Sequence, residues 1–235
     1  MLDVPSSQRA DSGASSNYPS PLSSFEEAIA RWEGLYQDNP NDRGNYAHGH
    51  DGSVRLVGTM RGVTPDAYAT FKCVDTVTVT PDIMRAITLG TAAQIAVSLY
   101  FVAPRLHLLQ WSPALAIIAD VCWGSGARRA ISMLQQLIGV SQDGEVGPVT
   151  EHTLDAYLNE HPIDAACNAL LSLRESFYIN ISRPGTKNAV FRNGWLNRAR
   201  WFSTANSEWW RPWATWAPLQ LTSTNRPIAL PVSQA

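Results

Sequence analysis

The apolar positions of this chain fall mostly at helical spacing. Phe25, Ile29, Trp32 and Tyr36 recur every three or four residues, which predicts an apolar face on a helix over residues 24–36. Ser24 with Glu27 three residues later reads as a capping box that starts it. Residues 37–64 lose that period and turn polar, with glycines at 44, 49, 52, 58 and 62. Within them His48-Gly49-His50-Asp51-Gly52 reads as a hairpin tip between short extended pieces that include Val54, Leu56 and Val57. Thr64-Pro65-Asp66 predicts a second helix to about Lys72, with proline in its first turn. Residues 74–80 alternate and are β-branched, a short strand or a connector. Thr80-Pro81-Asp82 predicts the start of one long helix through the uncharged stretch 86–104, and Ser112-Pro113 opens another over 114–123 that ends at Gly124-Ser125-Gly126. Further helices are expected at 127–138, from Pro148 after a tight turn at Asp143, at 162–181 and at 190–201. The pattern is that of a mainly α chain with one small β-hairpin.

Composition narrows the class. At 235 residues, 45% hydrophobic and net charge −2, the chain reads as globular and can bury a large core. Stretch 86–104 imitates a membrane span, yet Thr88, Gly90, Thr91, Gln94 and Ser98 interrupt it, so a buried core helix is the expectation. Cys73, Cys122 and Cys167 are far apart and odd in number, which reads as buried thiols in a reducing compartment. No cationic-then-apolar signal opens the chain, and residues 1–23, rich in Ser, Pro, Gly and Asp, are expected to be a disordered leader.

Charge is uneven. From Arg183 onward seven basic residues face the single acid Glu208, and six of the nine tryptophans lie in the same stretch. Arginine and tryptophan together suit an anionic, amphiphilic target such as a wall glycan, an outer-envelope surface or the membrane interface. The alternative is that Trp195 and Trp201 are core residues and only the 209–216 cluster is exposed. No nucleic-acid motif accompanies the patch.

The candidate chemistry gathers at the end of the first helix. Glu33 continues the row Phe25–Ile29, so it lies on or beside the apolar stripe, where burial disfavours the charged carboxylate, as a general acid needs. The alternative is a solvated helix residue followed by an ordinary loop. His48 and His50 beside aspartates lack further ligands at metal spacing, so no metal is expected.

Arg31-Trp32-Glu33-Gly34-Leu35-Tyr36 followed by Asp38-Asn39-Pro40-Asn41-Asp42-Arg43-Gly44 resembles the signature of glycoside hydrolase family 108, lysozyme-like N-acetylmuramidases. Gly58-Thr59-Met60-Arg61-Gly62-Val63-Thr64, Leu134-Gln135 with Asp143-Gly144 and Gly147-Pro148, and Gly194-Trp195-Leu196-Asn197-Arg198 resemble later blocks of that family, in order, over residues 25–202. The second glycine of the signature is Leu35 here, and an insertion at 47–56 separates Asn45 from Gly58. The resemblance implies a lysozyme-like α+β fold with the hairpin next to the catalytic helix. It implies a catalytic half at 24–112, a helical peptidoglycan-binding-like half at 113–205 packed with it, and a Trp/Arg-rich tail at 206–235. It further implies hydrolysis of the MurNAc-β-1,4-GlcNAc bond without a cofactor. Glu33 would be the acid, Asp42 the second carboxylate and Thr59 the residue that orients water, with Tyr36, Asn45, Tyr46 and Asp120 toward substrate. Peptidoglycan strands are the expected partner of a monomer made in a host cytoplasm and released by a holin, virion or secretion system. Two readings of other classes stand beside it: a non-catalytic wall-binding or virion protein on the same scaffold, and a membrane-active protein acting through its C-terminal segment.

Overall fold

The computed structural model describes residues 18–217, which form ten α-helices and one two-stranded hairpin. Helix α1 (Pro21–Trp32) begins earlier than the apolar pattern predicts. The Ser20 hydroxyl accepts the Ser23 amide at 3.1 Å, and proline occupies the first turn, so Ser20 and not a Ser24–Glu27 box caps it. It also ends earlier. The Glu33 amide still reaches Ile29 O at 3.0 Å, but Glu33 itself is extended, and the chain leaves to bridge Gln37 with Thr59. Tyr36 therefore lies outside the helix.

The hairpin forms where the glycine-rich tip predicts it. Strands β1 (Tyr46–His48) and β2 (Val54–Leu56) pair antiparallel, with Ala47 opposite Arg55. His48 Nδ1 meets Asp66 Oδ2 at 2.9 Å, which ties the hairpin to α2 (Pro65–Lys72). Residues 74–80 make no strand. Asp75 accepts the Val77 amide at 3.0 Å and winds Thr76–Thr78 into a 3₁₀ turn.

The expected single long helix is divided into α3 (Pro81–Arg85) and α4 (Leu89–Val97), the latter continuing as a π-turn at Ser98–Val102. Thr88 causes the break, because its hydroxyl caps the amide of Thr91 at 3.1 Å and starts a new helix. No helix among the described residues is long and apolar enough to cross a membrane.

Helix α5 (Pro113–Ser125) is the axis of the core, with every residue from Pro113 to Cys122 buried. It packs on α1, on α6 (Ala127–Ile138) and on α8 (Ile163–Ile181), while α7 (Pro148–Glu160) covers α6 and α9 (Arg192–Trp201) covers α8. The main apolar cluster is continuous from Phe25 to Trp213, so both halves share it.

The two ends of the described chain depart from expectation. Tyr18 stacks on Trp213 at 5.9 Å, and the Trp111 indole donates to Pro19 O at 2.7 Å, so residues 18–23 are packed and not disordered. After α10 (Ser207–Trp210), Trp209 and Trp213 are 5% and 1% exposed, against the reading of an exposed 209–216 cluster. Burying their rings against Phe202 and Trp111 removes more apolar surface from water than leaving them out for a partner. Residues 1–17 and 218–235, including Arg226, lie outside the described part. Cys122 and Cys167 are buried, and burial pushes the Cys122 thiol up to about 12. Cys73 is exposed instead, at φ 54° in the cap that ends α2.

Candidate active site

Glu33 stands at the C-terminal end of α1 with its side chain 19% exposed, so it is neither sealed nor fully in bulk water. The expected apolar surroundings are not what holds it. Its Oε1 accepts the Trp123 indole N–H at 2.8 Å and Arg198 Nη1 at 2.6 Å. Those donors come from α5 and α9, 90 and 165 residues further along the chain. Oε2 has no hydrogen-bond partner among the described residues. It lies against Gly62, where an added Cβ would come within 2.9 Å of it and 2.7 Å of the Trp123 ring. Gly62 also has φ 77°, so both its freedom and its lack of a side chain are required there.

Arg198 is in turn held by Asp120. Arg198 Nη2 meets Asp120 Oδ1 at 2.8 Å, and the fully buried Arg174 pairs with Asp120 Oδ2. Burial would raise the Asp120 carboxyl, but the guanidinium groups of Arg198 and Arg174 outweigh it and hold it below the usual carboxylate range. The carboxylates beside Arg198, Asp120 first and Glu33 after it, outweigh burial in turn and raise that guanidinium. Two carboxylates and two guanidiniums thus form a chain, Glu33–Arg198–Asp120–Arg174. Asp120, weighed between a place toward substrate and a hydrogen-bonded structural role, is 4% exposed and anchors Arg198, which in turn holds Glu33.

A second group of predicted residues is gathered by one that the sequence reading missed. Gln37 Nε2 lies 2.9 Å from each of Asp42 Oδ2, Asn45 Oδ1 and Thr59 Oγ1. Its Oε1 accepts Asn45 Nδ2 at 2.7 Å and the Asn39 amide at 3.0 Å. Asp42 and Thr59, seventeen positions apart across the inserted hairpin, therefore meet on one amide. An amide has two hydrogens for three acceptors, so one acceptor is always left for another donor. Asp42 also accepts the Gly44 amide through Oδ1, which shapes the turn.

Asn45 is wholly buried, and its side chain is spent within this knot, so it supports the loop and does not face a ligand. Tyr36 and Tyr46 likewise donate their hydroxyls to backbone, to Val57 O at 2.8 Å and to Pro40 O at 2.9 Å. Only their rings remain for a sugar, and that of Tyr36 already carries the Arg85 guanidinium at 4.1 Å. Leu35 does not narrow the site by filling it, since it is 67% exposed.

The turn after α6 repeats the device around a buried glutamine. Gln135, 1% exposed, donates to Asp143 Oδ1 at 2.7 Å, Glu145 O at 3.0 Å and Thr150 Oγ1 at 3.1 Å, and accepts the Gly144 amide at 2.9 Å. Two crevices, of about 490 and 650 Å³ including open solvent, lie elsewhere. One has Asp120, Trp201 and Trp213 in its wall and the other His161 and Trp216; Glu33 lines neither.

The mainly helical scaffold with one small antiparallel hairpin is lysozyme-like. Residues 26–126 match the family model described as Glycosyl hydrolase 108, and residues 129–200 match one described as Predicted Peptidoglycan domain. A glycosyl hydrolase 108 segment is thus followed along the chain by a peptidoglycan-type domain. Among solved structures, one titled "Structure of Brucella abortus SagA" aligns with TM-score 0.59 and 22% identity over 81% of this chain and 95% of that one, which shows a shared fold. No curated protein matches the chain. Glu33, Gln37, Thr59 and Trp123 lie in the first matched segment, and Arg174 and Arg198 lie in the second. The site is assembled from both.

Proposed function

We propose that this chain cleaves the β-1,4 bond between N-acetylmuramic acid and N-acetylglucosamine in peptidoglycan, with Glu33 as the general acid. The observation that carries the reading is the division of labour between the two Glu33 oxygens. Oε1 is fixed by Trp123 and Arg198, so the transferable proton resides on Oε2, the oxygen left without a partner. That proton passes to the glycosidic oxygen as the C1–O bond breaks and oxocarbenium character develops at C1. A water then forms the new bond to C1 and gives up its proton to Asp42. Support for that water comes from the Gln37 amide, which places Asp42 Oδ2 and Thr59 Oγ1 each 2.9 Å from one nitrogen and leaves one acceptor free at any moment. The matched peptidoglycan domain supports the polymer as substrate. A single copy completes the site, so a monomer is the working form, reaching the wall after release from the cell that makes it.

The test is release of reducing ends from purified cell walls. Glu33→Gln lowers the rate by about 10²–10⁴-fold with an unchanged helical spectrum, and a fully active Glu33→Gln protein overturns the assignment. Mass analysis of the products gives a reducing N-acetylmuramic acid end. An anhydro end instead marks a lytic transglycosylase, and a reducing N-acetylglucosamine end marks a glucosaminidase. Trp209 and Trp213 are buried, so these two rings are not available to a membrane-active tail.

A further inference from the structure

The turn that lies on Glu33 carries a side chain that the proposed reaction does not use. Residues 60–63 close a two-residue turn in which the Met60 amide donates to Val63 O at 3.1 Å and the Val63 amide returns to Met60 O at 2.9 Å. Both central residues have positive φ, Arg61 at 53° and Gly62 at 77°. Gly62 is needed for its contact with Glu33 and Trp123. Arg61 is not the residue this turn prefers, because the left-handed region strains any side chain with a Cβ and hairpin turns favour Asn, Asp or Gly there. Its amide donates to Gly34 O at 3.1 Å, which ties the strained residue to the one that follows Glu33.

No contact within the fold offsets that strain. Arg31, Arg55, Arg85, Arg174, Arg198 and Arg200 each have a carboxylate or backbone carbonyl as partner. The Arg61 guanidinium has no ion pair, hydrogen bond or ring contact among the described residues, and its Nε is buried without an acceptor. A backbone cost and an unsatisfied cation thus coincide one residue from the contact with the candidate acid.

We propose that Arg61 is a specificity-determining residue that binds a carboxylate of the peptidoglycan strand, an inference that rests on the reading of Glu33 above. Along such a strand the sugar hydroxyls and acetamides are neutral. Carboxylates occur on the lactyl ether of muramic acid where it bears no peptide, and on the stem peptides. A guanidinium takes such a group through two parallel N–H···O bonds, here from its two terminal nitrogens.

The test measures binding in the full chain carrying Glu33→Gln, so that turnover is not needed. Three probes are used: purified peptidoglycan strands, the same strands with carboxyls converted to methylamides, and amidase-treated strands bearing lactyl carboxylates alone. The Glu33→Gln chain binds the first about tenfold tighter than the second. Adding Arg61→Gly brings that ratio to about one while raising Tm by about 2–4 °C through relief of the strained φ. Lys187→Gln, the loss of an exposed charge far along the chain, leaves the ratio in place. Amidase-treated strands bind like the first probe if the lactyl group is the source and like the second if the stem peptide is. An unchanged ratio in Arg61→Gly overturns the proposal, as does a fall in Tm that accompanies the lost ratio. If the ratio collapses as expected but the native chain releases no reducing ends, the hydrolase reading fails and the carboxylate site stands.

Discussion

Gln37 and Gln135 do the same thing in two different media. Each primary amide draws together an aspartate and a threonine from a glycine-bearing loop: Asp42 and Thr59 in one case, Asp143 and Thr150 in the other. In both loops the aspartate also accepts a backbone amide two residues on. The difference is water. Gln135 is 1% exposed and Thr150 3%, with Asp143 alone of the three side chains at the surface, whereas Gln37 is itself exposed beside the end of α1. A closed knot satisfies buried polar groups and holds two helices together. An open one leaves an acceptor for a solvent molecule and a carboxylate that can take a proton from it. Conserving a hydrogen-bond pattern therefore says little about chemistry until exposure is known.

The comparison can be broken most severely at the charge chain that links the halves. Asp120→Ala leaves Arg174 and Arg198 buried without their shared partner and costs about 3–5 kcal/mol in denaturant unfolding. Acid sharpens the same point. Because the folded carboxyl of Asp120 is held below its unfolded value, its contribution is complete above the unfolded pKa and is lost as pH falls through the folded one. The wild-type chain thus loses stability below about pH 4, and Asp120→Asn flattens that part of the profile.

The buried knot comes next. Gln135→Ala leaves the Gly144 amide without its acceptor and the Thr150 hydroxyl and Glu145 carbonyl with only their long bond to each other, at about 2–3 kcal/mol, with the hydrolysis rate per folded molecule unchanged. Gln37→Ala should do the reverse: about 1 kcal/mol of stability, but a tenfold or larger fall in reducing-end release. If the two variants exchange these effects, the open knot is structural and the proposed water site is lost. Smallest is Tyr46→Phe, which removes one partly exposed hydrogen bond to Pro40 O and costs less than about 1 kcal/mol with little change in rate.

Several features of the site were legible because they are local. Glu33 was singled out by the resemblance of the segment around it, its place at the end of an apolar 3.6-residue stripe alone not sufficing, and the hairpin by a glycine-rich tip between short extended pieces. Other features were legible only in part. Asp120 was noticeable as an acid inside an apolar helix, a position that demands a partner, but that partner is 78 residues away in Arg198. Trp123 and Arg198 carry no local mark of their role at all. Gln37 looks like any polar residue in a polar loop. The Trp-rich end misled for a related reason: tryptophan serves a core or a surface equally well, and composition cannot tell which.

By itself, then, the sequence determined what short-range physics can determine. Helical period, proline at first turns and serine or threonine caps set nearly all the helices, and the glycines set the turns, because each depends on neighbours within about four residues. Tertiary structure decided which oxygen of Glu33 is held and which is free, that Asp120 acts through Arg198, and that one amide opens to water while its counterpart is sealed. Those outcomes depend on burial and on contacts that span up to 165 residues, and both exist only once the chain closes on a common core.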